Sequence, residues 1–308
     1  MLDRLAHAIE RHCQGPWSET AVPRLSLVAL DEIMEPIDVT YEPMICFIAD
    51  GAKRTVAGDR SWATPRGQML LVTLDLPVTA AFEKVPYRAA VIRLDNRVLA
   101  AVQLELDEAG PPTPQPVAAE IAAEIAAPIS PELVDAVTRW IQLLDTPEDI
   151  GPLAPRIESE ILYRLLRSPL GPVLRHWSLA DSAAARIRTT ARWICDHYTE
   201  PLGIDEIAEV ARMSPATLHR HFKAATGMSP LRFQKHLRLQ EARRRLFAGD
   251  VTAAQAAQAV GYVSATQFNR EYRRAYGLPP GQDAAHLRTR LDAAREVPVV
   301  HDGSPAKP

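Results

Sequence analysis

The sequence predicts an α+β protein of two domains: a β-rich N-terminal domain with flanking helices, and an all-α C-terminal domain. Its 308 residues exceed the roughly 100–200 residues of an average domain. Residues 20–94 contain short runs of Val, Ile and Leu separated by Gly and Pro, whereas residues 183–290 have a helical pattern almost throughout. Part of the helical region also occurs twice. We therefore expect four segments, at 1–110, 111–182, 183–290 and 291–308.

Composition excludes several classes of protein. A hydrophobic content of 47% and a charged content of 24% are ordinary for globular chains, and they exclude wholesale disorder. No apolar run reaches the ~18–20 residues that a membrane span needs. The first residues, MLDRLAHAIERHCQG, contain acidic and His residues where a secretory signal has an apolar core. Cys13, Cys46 and Cys195 are too few and too scattered for a disulfide framework or a zinc cluster. We expect a cytoplasmic protein that has no membrane partner.

The N-terminal elements follow from short apolar runs. Strands are predicted at 24–29, 44–49, 68–74 and 89–94, in a sandwich or barrel. Apolar positions 98, 99, 102 and 106 predict a helix over 95–107. The segment GPPTPQP, 110–116, is predicted to be a linker.

Residues 117–175 are predicted to be helical. Ser130 before Pro131 is a candidate N-cap for the amphipathic stretch PELVDAVTRWIQLL. A second helix, PRIESEILYRLLRSP, is expected to end at Pro169, before a short linker at 176–182. The apolar faces of these two helices could pack against the barrel or against a second subunit; they contain Trp140, Ile141, Leu144, Ile161, Leu162 and Leu165.

Charge is distributed unevenly along the chain. Residues 1–180 contain 16 Lys and Arg against 25 Asp and Glu, whereas residues 181–295 contain 18 against 11. Such asymmetry indicates a nucleic-acid or membrane surface, although solvated helix faces would produce the same count.

The basic half contains an internal repeat with the features of a helix-turn-helix. Residues 214–227 (SPATLHRHFKAATG) match residues 264–277 (SATQFNREYRRAYG) at an offset of fifty. A short helix rich in small residues precedes each copy, at 204–211 and 252–260, and Ser214 or Ser264 is a candidate N-cap. Positions 218 and 222, like 268 and 272, share one face that belongs in the core. The positions expected to point outward, toward a major groove, are 215–217, 219–220 and 223 in the first copy and 265–267, 269–270 and 273 in the second.

One helix is predicted to join the two copies. It covers 230–248, with Leu231, Phe233, Leu237 and Leu246 as apolar anchors. About 20 helical residues span ~30 Å. Since successive major-groove faces lie ~34–36 Å apart, two recognition helices could enter adjacent grooves.

These stretches resemble a known family. The segments IDEIAEVARMSPATLHRHFKAATGMSPLRFQKHLRLQEARRRL and AAQAVGYVSATQFNREYRRAYGLPP are similar to the tandem helix-turn-helix domain of AraC/XylS-type transcription regulators. YEPMICFIADGAKRTVAGD and LLVTLDLPVT resemble the cupin-like effector domain of one branch of that family. The resemblance implies a ligand-responsive transcription factor that binds promoter DNA, works with RNA polymerase and can form a homodimer. We take it as an activator, although the sequence itself leaves open the sign of regulation, the effector and the operator.

The resemblance also assigns DNA contacts by position. Base-edge contacts fall on Ala216, His219, Arg220, Ala265, Thr266, Gln267, Asn269 and Arg270, and phosphate contacts are expected from Lys223, Arg273 and Arg274. Arg220 and Arg270 could each grip a guanine edge or a phosphate. Arg212 stands where the family has Gly or a small polar residue, and Gln282–Asp283 replace an aromatic-basic pair. The run at 243–245 is expected to be a solvated face that pairs with Glu241.

The N-terminal domain is not expected to be an enzyme. Between His12 and His176 there is no His, so a barrel here lacks the imidazole ligands of metal-dependent cupins, and neither metal nor other cofactor is expected. The enzymatic alternative is a sugar isomerase or dioxygenase domain fused to the DNA-binding module. A further alternative for the whole chain is an architectural DNA-binding protein without ligand control. Cys46 is either a small buried hydrophobe or a sensor thiol. Effector-pocket candidates, each also consistent with plain core, are Tyr41, Phe47, Trp62 and Phe82.

Overall fold

The structure, a computed structural model, describes residues 1–108, 124–178, 182–249 and 251–295. The chain divides into two compact units. The first consists of Met1–His197 and Leu202–Gln234, and the second of Tyr198–Pro201 and the residues from Lys235 onward. Among the described helices, none combines the length and the apolar character needed to cross a bilayer. The predicted linker at 110–116 and the tail after residue 295 lie outside the described residues.

An antiparallel sheet dominates the first unit, in the order β1-β2-β7-β4-β6-β8, with β3 on β7 and β5 on β4. Each of the four predicted strands overlaps a strand of this sheet, so the β-rich N-terminal domain is confirmed. The strands are β1 Trp17–Glu19, β2 Leu25–Leu30, β3 Ile37–Tyr41, β4 Met44–Ala57, β5 Arg60–Pro65, β6 Gln68–Val72, β7 Leu76–Arg93 and β8 Glu124–Pro128.

The two longest strands, β4 and β7, are bent by irregular pairing. Their register shifts between Ile48 and Lys53, where the pairing has β-bulges. Gly51 lies in this stretch with φ +75, and a Cβ there would clash with the Lys84 carbonyl oxygen. Only glycine fits a backbone that approaches another strand so closely.

Helices of the first unit flank the sheet. Ser130 caps α3 as predicted, since its hydroxyl accepts a hydrogen bond from the Leu133 amide at 3.3 Å. The second predicted helix starts earlier than expected, because Pro147 opens α4. The helices are α1 Leu2–His12, α2 Asn96–Glu108, α3 Pro131–Gln142, α4 Pro147–Leu166, α5 Gly171–Ser178, α6 Ala183–His197, α7 Ile204–Ala211 and α8 Pro215–Thr226.

Two expectations between residues 117 and 182 were wrong. Residues 124–128 are not helical, because β8 pairs with β6 and satisfies the backbone of that sheet edge, which outweighs the helix propensity of its alanines. Residues 176–178 are not a linker, because Trp177 lies buried in the last turn of α5. Its indole N–H donates a hydrogen bond to the Thr73 carbonyl oxygen at 2.6 Å.

The apolar faces of α3 and α4 pack inside their own unit. Trp140 is fully buried, and its indole N–H donates to the Ala154 carbonyl oxygen at 3.0 Å. Ile141, Ile161 and Leu165 belong to the same core, which lies between these helices and one face of the sheet. Of the two alternatives that the sequence left open, the structure shows packing against the sheet domain.

The second unit is helical. It is built from most of α9 Pro230–Ala248 together with α10 Ala253–Ala259, α11 Ala265–Tyr276 and α12 Pro280–Arg295. Its core gathers Leu246, Val260, Phe268 and Tyr272. The helix predicted over 230–248 is confirmed.

One expected anchor of α9 was wrong. Phe233 and Leu237 are buried, whereas Leu231 is 42% exposed. Positions 233 and 237 lie four residues apart on one face, and position 231 falls on another.

Candidate DNA-binding and effector sites

Both helix-turn-helix copies close their turn with the same hydrogen bond. The Met213 amide donates to the Ala208 carbonyl oxygen at 3.0 Å, and the Tyr262 amide donates to the Ala257 carbonyl oxygen at 2.9 Å. The serine hydroxyls then cap the second helices, with Ser214 accepting from the Thr217 amide and Ser264 from the Gln267 amide. These caps were predicted and are confirmed.

The departure at Arg212 changes the residue but not the turn. Arg212 adopts φ 51 and ψ 47, the left-handed conformation that usually favours glycine. The equivalent residue of the second copy, Gly261, has φ +84. A Cβ at Gly261 would clash with the Thr199 carbonyl oxygen, whereas Arg212 is exposed. The first copy therefore tolerates a side chain in a conformation that costs about 1–2 kcal/mol.

The predicted core positions of the recognition helices are buried. Leu218 and Phe222 in α8 are fully buried, as are Phe268 and Tyr272 in α11. The ring of Phe222 stands edge-on to that of Phe233, with centroids 5.2 Å apart. This packing leaves the opposite face of each helix to solvent.

Every residue expected to contact DNA is exposed. The set shares one location, the solvent face of α8 or α11, and consists of Ala216, His219, Arg220, Lys223, Ala265, Thr266, Gln267, Asn269, Arg270, Arg273 and Arg274. The arrangement can present guanidinium, amide and imidazole groups to a duplex.

Gln267 is already oriented by a neighbour. Its amide donates to Glu271 at 3.2 Å, and Glu271 also accepts from Lys235 at 3.0 Å and from the Tyr262 hydroxyl at 2.8 Å. Burial by itself would raise the pKa of Glu271, but these three hydrogen bonds outweigh it and lower the pKa below its ordinary value. Glu271 therefore fixes one expected base-reading side chain to the scaffold.

Asp283, at a position where the sequence departs from the family pattern, connects α12 to two other helices of the second unit. It is 3% exposed, accepts a hydrogen bond from the Tyr272 hydroxyl at 2.8 Å and forms an ion pair with Arg243 at 2.9 Å. The Arg243 guanidinium also lies 4.4 Å from the centroid of the Tyr276 ring. The acidic residue thus links α12 to α9 and α11 in this chain.

The rest of the basic run forms intrahelical pairs, as expected. Glu241 accepts hydrogen bonds from Arg244 and Arg245, at 2.7 Å each. These contacts lower the pKa of Glu241, with the Arg244 hydrogen bond the largest cause. The run therefore contributes to helix stability.

A cavity of about 370 Å³ opens in the sheet domain of the first unit. Alternation along the strands separates it from the core: Leu27 and Ile45 face the helices, whereas Val28 and Cys46 face the cavity. Among the described residues no group of three or more His, Cys, Asp and Glu is placed to hold a metal ion.

Two of the four candidate pocket residues line the cavity and two do not. Tyr41 and Phe82 line the cavity. Phe47 does not, because alternation places it in the core against the helices, where it is fully buried. Trp62, on β5 opposite Thr55, is not part of the lining either.

Sequence reasoning missed the polar cluster inside this cavity. The Lys53 ammonium donates to the Tyr41 hydroxyl at 3.3 Å and to the Cys46 sulfur at 3.7 Å, and the Tyr87 hydroxyl lies 3.8 Å from that sulfur. Burial raises the pKa of Tyr87 well above its usual value. A lysine within an apolar strand was the available signal, but residues 46 and 53 differ by an odd number and simple alternation puts them on opposite faces. The bulges around Gly51 reverse that alternation.

The β4–β5 hairpin tip, residues 57–60, contacts the end of α8 and the start of α9 within the first unit. Asp59 pairs with Arg232 at 2.8 Å, and the Arg60 guanidinium donates to the Ala225 carbonyl oxygen at 3.4 Å. The β4–β5 hairpin therefore contains Lys53, which lines the cavity, and a tip that contacts the first recognition helix.

Comparison with known proteins agrees with this architecture. Residues 21–173 match the model for the AraC-type transcriptional regulator N-terminus, and residues 207–285 match a helix-turn-helix domain. The HTH-type transcriptional activator RhaS of Escherichia coli O1:K1 / APEC is 26% identical over 155 residues, which cover 49% of this chain and 54% of that protein. The chain thus matches about half the length of the curated relatives.

Two solved structures have a similar fold. A variant of apo ToxT from Vibrio cholerae strain SCE256 matches with a TM-score of 0.53 and 11% identity, over 86% of this chain and 98% of that chain. ToxT from Vibrio cholerae O395, bound to (E)-4-(8-methylnaphthalen-1-yl)but-3-enoic acid, matches with a TM-score of 0.52 and 9% identity, over 88% and 99%. With an N-terminal domain and a helix-turn-helix domain that both match, this chain belongs to the AraC-type transcriptional regulators.

Proposed function

We propose that this chain is a ligand-responsive transcription regulator that binds a specific DNA sequence, with α8 and α11 in two adjacent major grooves. The supporting observation is the duplicated geometry: both copies have the same turn hydrogen bond, the same serine cap and an exposed N-terminal face on the second helix. A recognition helix uses such a face to contact base edges. We assign no catalytic activity to the chain.

The exposed side chains would contact different groups of the DNA according to their chemistry. Arg220 and Arg270 suit guanine, and Gln267 and Asn269 suit adenine. Ala216, Ala265 and Thr266 offer contact to a thymine methyl group, and His219 offers a hydrogen bond to a base edge. Phosphate contacts would come from Lys223, Arg273 and Arg274.

The cavity in the sheet domain would hold the effector. Its apolar lining with a small polar cluster has the character of small-molecule sites. The ToxT structure with a bound naphthalenyl butenoic acid shows that a protein of similar fold takes up a small molecule. An effector acts by binding one conformation more tightly than another. We propose residues 1–110 as effector domain, 111–182 as helical region and linker, 183–290 as DNA-binding domain and 291–308 as tail.

Further partners follow from this role. We propose activation through RNA polymerase in the cytoplasm, in line with the activator RhaS. A homodimer would have to use surfaces other than the buried faces of α3 and α4, and sedimentation with and without DNA tests for it.

Selection of bound duplexes from a randomised pool tests the proposal. We expect a bipartite motif whose halves lie about one helical turn, roughly 10–10.5 base pairs, apart. Repeating the selection with and without metabolite mixtures should change the amount of DNA bound. Uniform retention of all sequences would instead indicate an architectural protein and would contradict the proposal.

A further inference from the structure

Lys53 is a buried lysine with no carboxylate partner among the described residues. Its side chain lines the cavity and is 4% exposed. No carboxylate of the described residues lies within 4.0 Å of the ammonium, so it forms no ion pair in this part of the chain. Buried charges are normally paired, because removing a charge from water is costly unless an opposite charge meets it.

Within the described residues, the ammonium donates two hydrogen bonds and has a third donor left over. Of its three N–H groups, one is used by the Tyr41 hydroxyl and one by the Cys46 sulfur. Burial by itself would lower the pKa of Lys53, but the groups of Cys46, Tyr41 and Tyr87 outweigh it and raise the pKa well above its usual value.

The remainder of the cavity is mainly apolar. Val28, Leu30, Val39, Phe82 and Val91 line it, and none of these side chains offers a polar group. The exposed side chains of Trp17 and Ile37 also belong to its wall, 51% and 40% accessible. A ligand with an apolar body would cover both.

The other charged groups in the wall lie outside the buried cluster. Arg93 pairs with Glu19 at 3.6 Å, and Glu42 is exposed. These groups do not pair with Lys53, whose amine is a buried basic group in the wall of a mainly apolar cavity.

We propose that the effector is a small organic acid with an apolar body, whose carboxylate binds the Lys53 ammonium. The inference rests on the proposed function, since it names the chemical class of the ligand for the effector cavity. Charge-assisted hydrogen bonds are the stronger kind, and in a site shielded from water they discriminate against an uncharged analogue of the same shape.

The rival explanation is that a Cys46 thiolate already neutralises Lys53. The two explanations differ in the effect of Cys46→Ser. If Lys53 awaits an external anion, the serine variant keeps the same preference for acids. If the thiolate is the counter-ion, wild-type protein shows no preference and the variant acquires one.

Calorimetric titration of the full chain with matched acids and amides tests the inference. The probes are phenylacetate, 4-phenylbutanoate, octanoate and 2-naphthoate, each beside its primary amide. For at least one pair we expect the acid to bind about tenfold to a hundredfold more tightly than the amide. Lys53→Met should abolish that preference. Lys84→Met, the same change at an exposed lysine of β7, should leave it intact.

Three results would overturn the inference: equal binding of acid and amide in every pair, a preference that survives in Lys53→Met, or no binding of any probe. The wild-type comparison needs no variant, so a folding defect in Lys53→Met does not remove the test. If the amides bind as well as the acids, the cavity still binds small molecules, but the proposed carboxylate contact with Lys53 is wrong. Failure of the proposed function would appear separately, in the selection of duplexes.

Discussion

Gly58, at the tip of the β4–β5 hairpin, meets Gly227, the C-cap of α8, so closely that a Cβ on Gly58 would lie 2.9 Å from the Gly227 carbonyl oxygen. The approach is reciprocal, because a Cβ on Gly227 would lie 2.9 Å from the Ala57 carbonyl oxygen. Both glycines have positive φ. Lys53 lies on β4, which ends one residue before Gly58, so this strand connects the cavity to the hairpin tip that meets the end of a recognition helix.

Gly227→Ala should destabilise the first unit more than Gly277→Ala destabilises the second. Gly277 is the matched control, since it is the C-cap at the equivalent position of α11 and has a similar φ. A Cβ added at Gly277 would meet no atom of the described residues within 4 Å. Both variants strain the backbone, but only Gly227→Ala also forces the hairpin away. We expect an extra loss of about 1–3 kcal/mol in the free energy of unfolding.

Denaturant unfolding of both variants measures this difference. Equal losses in the free energy of unfolding would mean that the hairpin moves aside without an energetic penalty. The contact would then not constrain α8. Asp59→Ala provides a milder probe of the same contact, because its ion pair with Arg232 is exposed and should contribute under about 1 kcal/mol.

Asp283→Asn should destabilise the second unit by about 2–4 kcal/mol, because it leaves the Arg243 charge poorly compensated in a largely buried site. Asparagine can still accept the Tyr272 hydrogen bond, so the variant isolates the charge. The control is Glu241→Gln, which removes a carboxylate from the solvated Arg244 and Arg245 pairs and should cost under about 1 kcal/mol.

Hydrogen exchange of α11 amides reports the stability of this unit directly. Protection that falls no further in Asp283→Asn than in Glu241→Gln would show that Asp283 is not the closing contact.

Glu271 should make the second unit sensitive to acid. Its folded-state pKa lies below its ordinary value of 4.5, so the folded protein binds fewer protons than the unfolded chain there. The resulting stability is fully present above pH 4.5 and is lost as the pH falls through the folded-state pKa. At pH 7 we expect Glu271→Gln to be less stable than wild type by about 1 kcal/mol.

Thermal unfolding of wild type and Glu271→Gln between pH 7 and pH 3 measures the difference in stability between the two proteins. This difference should become smaller below pH 4.5, because Glu271 becomes protonated in wild type. A stability difference that stays constant or grows in acid would contradict the proposal that hydrogen bonds from Lys235, Tyr262 and Gln267 stabilise the ionised carboxylate.

The sequence predicted the helical half more closely than the sheet half. Helix caps at Ser214 and Ser264, and buried faces at Phe222 and Tyr272, depend on neighbours in the chain, so spacing reveals them. β8 could not be predicted, because an alanine-rich segment becomes a strand only when the edge of β6 is available to it.

The lining of the cavity was harder to predict for a related reason. The sheet is buried on both faces in places, so its strands read as continuous apolar runs, and nothing in the spacing tells which face Phe47 takes. The bulges near Gly51 then bring Lys53 to the face of Cys46, against simple alternation. Tyr41 and Phe82 line the cavity, whereas Phe47 lies in the core. An aromatic side chain suits either place, so residue type alone does not separate them.

Arg220→Ala and Arg270→Ala should each weaken operator binding by about 1–3 kcal/mol and relax the preference at one base position. Each guanidinium is exposed on its recognition helix and can grip one guanine edge. Arg97→Ala, an exposed arginine of α2, is the control and should have no effect. Equal losses on operator and random DNA would reassign both residues to phosphate contacts.

Hydroxyl-radical footprinting on the selected operator tests whether α8 and α11 occupy separate major grooves. We expect two protected segments about one helical turn apart on one side of the duplex. Arg220→Ala should weaken protection in one segment and Arg270→Ala in the other. A single protected segment, or loss of the same segment in both variants, would contradict the assignment of α8 and α11 to separate grooves.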